Sequence, residues 1–233
     1  MPFLRFSRGG RNLYCLLDIN FAQVFIAFSV LLFSLTVHES AHAWTANRLG
    51  DPTARLLGRV SLNPIVHADP VGTVLFPLIS LLGGAPWLIG WAKPVPVNIA
   101  RLGHQRRDYM LVAAAGPASN LLLAVGAAVI LRVLLQVMPV SPVTLGEANI
   151  SAPLVSLLTR AVQLNVLLAV FNMIPIPPLD GGNVLGGLLP GRLALAFNTI
   201  RPYGFMILYA LMLTGRLEYL IGPPYGLLVT WLQ

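Results

Sequence analysis

Long runs without a single charged residue dominate the pattern of this chain. They cover 19–37, 71–92, 109–131 and 161–179. Each approaches or exceeds the ~20 residues that an α-helix needs to cross a bilayer. The first run predicts a helix from Asn20 to about Leu49, stopped by Gly50-Asp51-Pro52. Residues 1–18 read as a short tail on the membrane surface. Residues 53–69 are mixed, and the alternation around Leu57–Leu62 suggests a short β-hairpin. The run at 71–92 is interrupted by Pro77, Gly83-Gly84 and Pro86, and Lys93 to Asn98, with Pro94 and Pro96, reads as extended chain. Tyr109 to Leu131 is a spanning helix. Ala161 to Leu179 is another span, ending in a proline-rich stretch before Asp180-Gly181-Gly182. A further span from about Leu193 to Gly215 is broken by Arg201-Pro202. The apolar stretch from Tyr219 to Gln233 is short and contains Gly222-Pro223-Pro224.

Composition makes this pattern a membrane pattern. Of 233 residues, 56% are hydrophobic and 10% charged, with a mean hydropathy of +0.77; a soluble domain carries about 25% charged residues. The expected fold is an all-α polytopic membrane protein, a single membrane-embedded domain. Its core is a three-helix unit with a re-entrant hairpin at about 20–190, followed by one or two C-terminal membrane segments at 191–233. Fifteen Lys and Arg against eight Asp and Glu give a formal charge of +7. In a membrane protein that excess marks cytoplasmic loops. No basic stretch is interleaved with aromatics, so nucleic acid is not an expected partner. The single Cys15 excludes an internal disulfide and a cysteine-built metal cage. The basic tail lacks a small-residue cleavage site after a short apolar core, so no removable signal peptide is read there.

One stretch inside this apolar pattern is chemically out of place. His38-Glu39-Ser40-Ala41-His42 ends the first run. On a helix, residues four apart share a face, so the two imidazoles can serve one metal ion, with Glu39 beside them as a base toward metal-bound water. Two imidazoles and a carboxylate are costly in a membrane-length segment unless they function there. The bland alternative is a polar helix end at the membrane surface.

A catalytic zinc usually has three protein ligands and an open position. The third is sought among His67, His104, Asp69, Asp108, Glu147, Asp180 and Glu218. Asp180 stands out because it ends a spanning segment, and two glycines follow it that permit close backbone approach. Joining Asp180 to the histidines requires the first helix and 161–179 to run in the same direction, with 109–131 opposed. That holds only if 71–92 dips in and returns, with its turn near Gly83-Gly84, rather than crossing ~30 Å of hydrocarbon. Arg48, Arg55, Arg59, Lys93, Arg101, Arg106, Arg107 and Arg192 then share the metal's face, whereas the opposite loop at 139–152 has no Lys or Arg. The metal's face is therefore expected in the cytoplasm, although the basic tail would lie opposite. Asn120 falls at the metal's end of its helix. It either holds an oxyanion or substrate backbone, or packs helices among small residues. Asn172 and Asn165 face the same choice, with Asn172 better placed beside the proline-rich stretch.

Three separated motifs resemble those of the site-2 protease family of intramembrane zinc metalloproteases: His38-Glu39-Ser40-Ala41-His42, Gly116-Pro117-Ala118-Ser119-Asn120, and the run from Asn172 through Pro175, Pro177, Leu179 and Asp180 to Gly181. Leu62-Asn63-Pro64, His67 to Gly72 and Gly90 to Asn98 are similar to its compact prokaryotic members. The likeness covers roughly 20–190. It implies one zinc ion held by His38, His42 and Asp180, with Glu39 as catalytic acid/base. It implies cleavage of transmembrane protein substrates at a site inside the bilayer of the prokaryotic inner membrane, near the cytosolic face. Unlike some relatives, this chain lacks an inserted PDZ domain and appended CBS domains. Lipid partition or a separate regulatory partner is then left to control access, and the expected partners are transmembrane substrates, the lipid bilayer, and an oligomer or that separate regulatory partner. Rival readings are a membrane iron oxygenase, which needs more than the four histidines present, a metal transporter, and a silent relative that only binds membrane helices.

Overall fold

A computed structural model describes residues 21–82, 90–137 and 151–233, and every regular element among them is helical. Helix α1 is Phe21–Arg48. Two single turns follow, α2 (Thr53–Leu56) and α3 (Pro64–His67). A π-helical turn at Pro70–Leu75 runs into α4 (Phe76–Leu82). The long helices α5 (Gln105–Val137) and α6 (Ser151–Asn172) come next, then α7 (Asp180–Leu188), α8 (Gly191–Ile200), α9 (Gly204–Leu213) and α10 (Leu217–Leu232). Helices α1, α5 and α6 are each long and apolar enough to cross a membrane, and the stretch 191–213 with α10 qualifies as a pair bent by 80°. The bend lies at Thr214–Arg216. At Arg201-Pro202, where the sequence suggested a break, the chain makes only a 3-10 turn.

Contacts between named residues fix the helix directions. Gln23 and Ser156, both near the starts of their helices, are hydrogen-bonded at 2.9 Å. Further along, Leu31 and Leu35 of α1 pack with Leu164 and Leu168 of α6. These two helices therefore run the same way. Helix α5 opposes them: His38 meets Asn120, whereas His42, one turn later in α1, meets Val112, two turns earlier in α5. Alanines 124, 127 and 128 of α5 allow close packing on Leu158, Val162 and Val166 of α6, and Leu232 of α10 closes this cluster. The outer faces stay apolar, with Phe25 71%, Leu122 74% and Phe205 73% exposed. Such surface is stable against lipid and not against water.

Three expectations need correction. The hairpin at 53–69 is two helical turns. Asn63 accepts the Ile65 N–H and Pro64 opens the next turn, both helix-start features. Its alternating leucines point out of the fold instead of pairing, with Leu57 and Leu62 each more than 60% exposed. Helix α6 begins ten residues before Ala161, because exposed Arg160 lies inside it rather than bounding it. Helix α5 likewise starts at Gln105, since buried Asp108 accepts the His104 N–H and caps its first turn. The surface tail at 1–18, the turn at Gly83-Gly84, and most of the polar loop at 139–152 lie outside the described residues. The two ends of 71–92 do meet. Trp91 N–H donates to Gly72 O at 3.0 Å, Thr73 Oγ1 donates to Trp91 O at 2.8 Å, and Lys93 N–H donates to His67 O at 2.8 Å.

Buried Asp51 ties the end of α1 to the extended run that follows Lys93. It accepts from the Thr53 hydroxyl and N–H and from the Asn98 N–H. Burial alone would raise its pKa. The hydrogen bonds from Thr53 and Asn98, with the Arg101 charge, outweigh that and hold it below the usual carboxylate range. A depressed folded-state pKa stabilises above the unfolded value of about 3.9, and the contribution is lost as pH falls through the folded value. Asp51→Ala is expected to cost about 1–3 kcal/mol at pH 7. The check is the thermal midpoint in detergent across pH, where the gap to the parent should close under acid.

Candidate metal centre

His38 and His42 lie one turn apart on the buried face of α1, which abuts α5 and α6. Their Nε2 atoms are 3.1 Å apart, and the rings meet edge to face. Asp180 Oδ2 lies 3.2 Å from His38 Nε2 and 3.4 Å from His42 Nε2. Asp180 does not end α6. That helix stops at Asn172, residues 173–179 form a tight irregular loop, and Asp180 opens α7. The loop can fold back because Gly181 and Gly182 follow. A Cβ on Gly181 would overlap the Met173 carbonyl, and one on Gly182 would lie 2.5 Å from Pro177 N.

The outer nitrogens decide what the inner ones can do. His38 Nδ1 faces Asn120 Oδ1 at 2.6 Å, and His42 Nδ1 faces the Val112 carbonyl at 2.7 Å. Both partners are acceptors, so each Nδ1 carries the proton and each Nε2 presents a lone pair. Two imidazole lone pairs and a carboxylate oxygen thus converge on one point. Such a cluster repels itself unless a cation or an added proton sits within it. Ligand atoms at ~2.0–2.1 Å from a tetrahedral zinc lie about 3.3 Å apart, which matches the spacings here. Histidine ligands whose second nitrogen donates to a carbonyl oxygen are the usual zinc arrangement. Gly116 of α5 lies directly against both rings, and a Cβ there would be 2.6 Å from His38 Nε2 and closer still to His42 Nε2. The residues present fit zinc, with a hydrogen at Gly116 where any side chain would fill the cradle.

Glu39 is half-buried, and its Oε2 accepts the Val95 N–H at 3.1 Å. The sequence reading missed this donor, although a signal existed: with Pro94 and Pro96 on either side, Val95 has the only N–H of the three. Arg59 was also missed as a structural residue. It is buried, and its guanidinium donates to the carbonyls of Val66 and Lys93, which binds α3 to the extended run.

Asn120 is fully buried, and every polar group of its amide is used. Oδ1 accepts from His38, and Nδ2 donates to Ser34 O and to Asn165 Oδ1. It therefore has no donor left for an oxyanion, and supports His38 instead. Asn172 donates back to Leu168 O within its own helix at 3.0 Å. Among the described residues, Asp180 is the one third-ligand candidate that joins the histidines. His67 is buried but faces Ser61 O and Ser40. Asp69 caps the π-helical turn through the Val71 and Gly72 N–H groups. Asp108 accepts the His104 N–H, and Glu218 is exposed in the first turn of α10. Glu147 lies outside the described residues.

The sequence has relatives among known proteins. The model for peptidase family M50 matches residues 136–215, which include Asp180 but not the histidine pair. "Putative zinc metalloprotease YwhC" of Bacillus subtilis (strain 168) is 38% identical over 194 residues, spanning 83% of this chain and 82% of the relative. "Putative zinc metalloprotease Rip2" of Mycolicibacterium smegmatis is 31% identical over 202 residues, spanning 86% of this chain and 71% of the relative. The protein of the same name from Mycobacterium tuberculosis (strain H37Rv) is 31% identical over 209 residues, or 89% and 74% of the two chains. No solved structure matches the chain. Similarity over so much of both sequences, together with a zinc-compatible His-His-Asp cluster among membrane-length helices, decides the matter: the chain belongs to peptidase family M50, the site-2 protease family of zinc metalloproteases.

Proposed function

We propose that the protein hydrolyses peptide bonds within or beside the transmembrane segments of membrane-protein substrates, as an agent of regulated intramembrane proteolysis. The observation that carries this reading is the burial of His38 and His42, with Asp180 against them, among helices of membrane length. A water-soluble substrate has no reason to seek a site so placed. His38, His42 and Asp180 would hold the zinc. When bound, zinc supplies Lewis acidity, which polarises a carbonyl oxygen and makes water a competent nucleophile near neutral pH.

Glu39 is the acid/base in this reading. Its Oε2 is anchored by Val95 N–H, and it takes the proton of the attacking water and returns it to the leaving amine. The extended run at 90–98 begins at the paired ends of 71–92 and reaches Glu39 through Val95. That run and the 173–179 loop are the segments we assign to an unwound substrate strand, which would bind through main-chain hydrogen bonds. The basic residues of the metal's face, set against the basic-free loop on the other side, support a cytoplasmic orientation in a prokaryotic cell membrane.

Glu39→Gln should keep its zinc and lose at least about 10²-fold in cleavage of a transmembrane peptide. The comparison needs metal analysis alongside the assay, and an active variant would remove Glu39 as the base. Asp180→Asn should weaken zinc retention about 10-fold or more, read by competition with a chelator; unchanged retention would exclude Asp180 as a ligand. For topology, Cys15 is replaced by Ser and single cysteines are introduced at Leu57, Ala100 and Glu147. A membrane-impermeant thiol reagent applied to intact cells should label Glu147→Cys alone. Labelling at Leu57→Cys would reverse the orientation, and labelling at Ala100→Cys without Leu57→Cys would show that 71–92 crosses.

A further inference from the structure

His38 presents its lone pair inward only while its proton stays on Nδ1, and the buried amides behind it determine that state. The chain of contacts starts at a backbone carbonyl, which can only accept. Ala161 O takes the Nδ2 donor of Asn165 at 2.8 Å. Asn165 must therefore turn its Oδ1 the other way, where it accepts from Asn120 Nδ2 at 2.9 Å. The second hydrogen of Asn120 Nδ2 points to another backbone carbonyl, Ser34 O, at 3.4 Å. With both donors committed to acceptors, Asn120 can offer only Oδ1 to His38 Nδ1, at 2.6 Å. Reversing the Asn120 amide would set its oxygen against two other oxygens. It would also demand the proton on His38 Nε2, among the atoms that converge on the metal position.

We propose that Asn165 is a positioning residue of the metal centre: through the amide of Asn120 it fixes the tautomer of His38 that leaves Nε2 free to ligate. Asn165 is 2% exposed and lies in α6, one turn beyond Ala161, so the relay joins all three long helices. Burial makes the relay directional. No bulk water is available to satisfy a reversed amide, and an unpaired polar group at such a site costs more than it would at a surface. His42 needs no such relay, because its Nδ1 faces the Val112 carbonyl directly.

The inference rests on His38 being a metal ligand, and the experiment separates the two ideas. The parent, Asn165→Leu, Asn165→Asp and His38→Ala are purified in detergent with histidine-selective ¹⁵N labelling. Only four histidines contribute signals, and His38→Ala identifies the relevant pair. In apo protein the parent should show the Nδ1–H tautomer at His38. Asn165→Leu keeps the branched shape but removes the acceptor, and should give a tautomer mixture and about tenfold weaker zinc retention against a chelator. Asn165→Asp, kept neutral by burial, donates its hydroxyl to Ala161 O and accepts from Asn120. It should restore both readouts. Should Asn165→Leu not yield folded protein, Asn165→Ala takes its place. Parental tautomer and parental zinc retention in the loss variant would overturn the relay. So would weakened retention with an unchanged tautomer, because that pattern reports packing alone. Parental zinc retention in His38→Ala would instead overturn the ligand assignment.

Discussion

Three electron-rich atoms, two imidazole nitrogens and one carboxylate oxygen, are held within 3.4 Å of one another inside an apolar protein. Nothing in the local sequence favours that. The arrangement is sustained by groups behind each ligand. Val112 O fixes His42, Asn120 fixes His38, and the glycines after Asp180 let its loop fold tightly enough to deliver the carboxylate. A cation resolves the repulsion, and zinc matches both the donor types and their spacing. Much of the polar architecture in the bundle is explicable as support for this one point.

The same constraint reaches the whole-chain topology. A carboxylate from the start of α7 can meet two imidazoles from the later part of α1 only if α1 and α6 run in parallel with α5 opposed. The contacts from Gln23 to Ser156 and from His42 to Val112 show that arrangement. On the inner helix faces His38, Asn120 and Asn165 spend hydrogen bonds on one another, and the outer faces present leucine, valine and phenylalanine. Each helix is thus divided between lipid and chemistry. The small residues of α5 let the backbones approach closely enough for an asparagine on one helix to reach a carbonyl or an amide on the next.

The sequence was most legible where chemistry conflicted with its surroundings. A His-Glu-x-x-His run in an uncharged segment announces itself, and Asp180 followed by two glycines at the end of another such segment is nearly as clear. Helix number and direction then followed from joining the two. Legibility failed where a residue's role depends on what faces it in space. Asn120 looks identical in sequence whether it binds substrate or orients a histidine, and only the partners on α1 and α6 distinguish the two. The alternation at 57–62 resembled a strand because outward-facing leucines at a membrane surface mimic that period. Arg59 read as one more loop cation, yet its guanidinium is buried against carbonyls from two segments.

The extended run at 90–98 shows how sparse a functional contact can be. Pro94 and Pro96 remove two backbone donors, so the segment between Lys93 and Val97 has one N–H to give, and Val95 gives it to Glu39. With a single donor, Oε2 is oriented while Oε1 has no hydrogen-bond partner among the described residues. The acid/base role we propose for Glu39 needs this balance: enough restraint to hold the carboxylate at the site, and one oxygen uncommitted to receive a proton. Arg59 and the His67 carbonyl hold the start of the run in place through Lys93. The geometry of the Glu39 carboxylate is therefore set from outside α1, by a strand whose prolines make its hydrogen bonding selective.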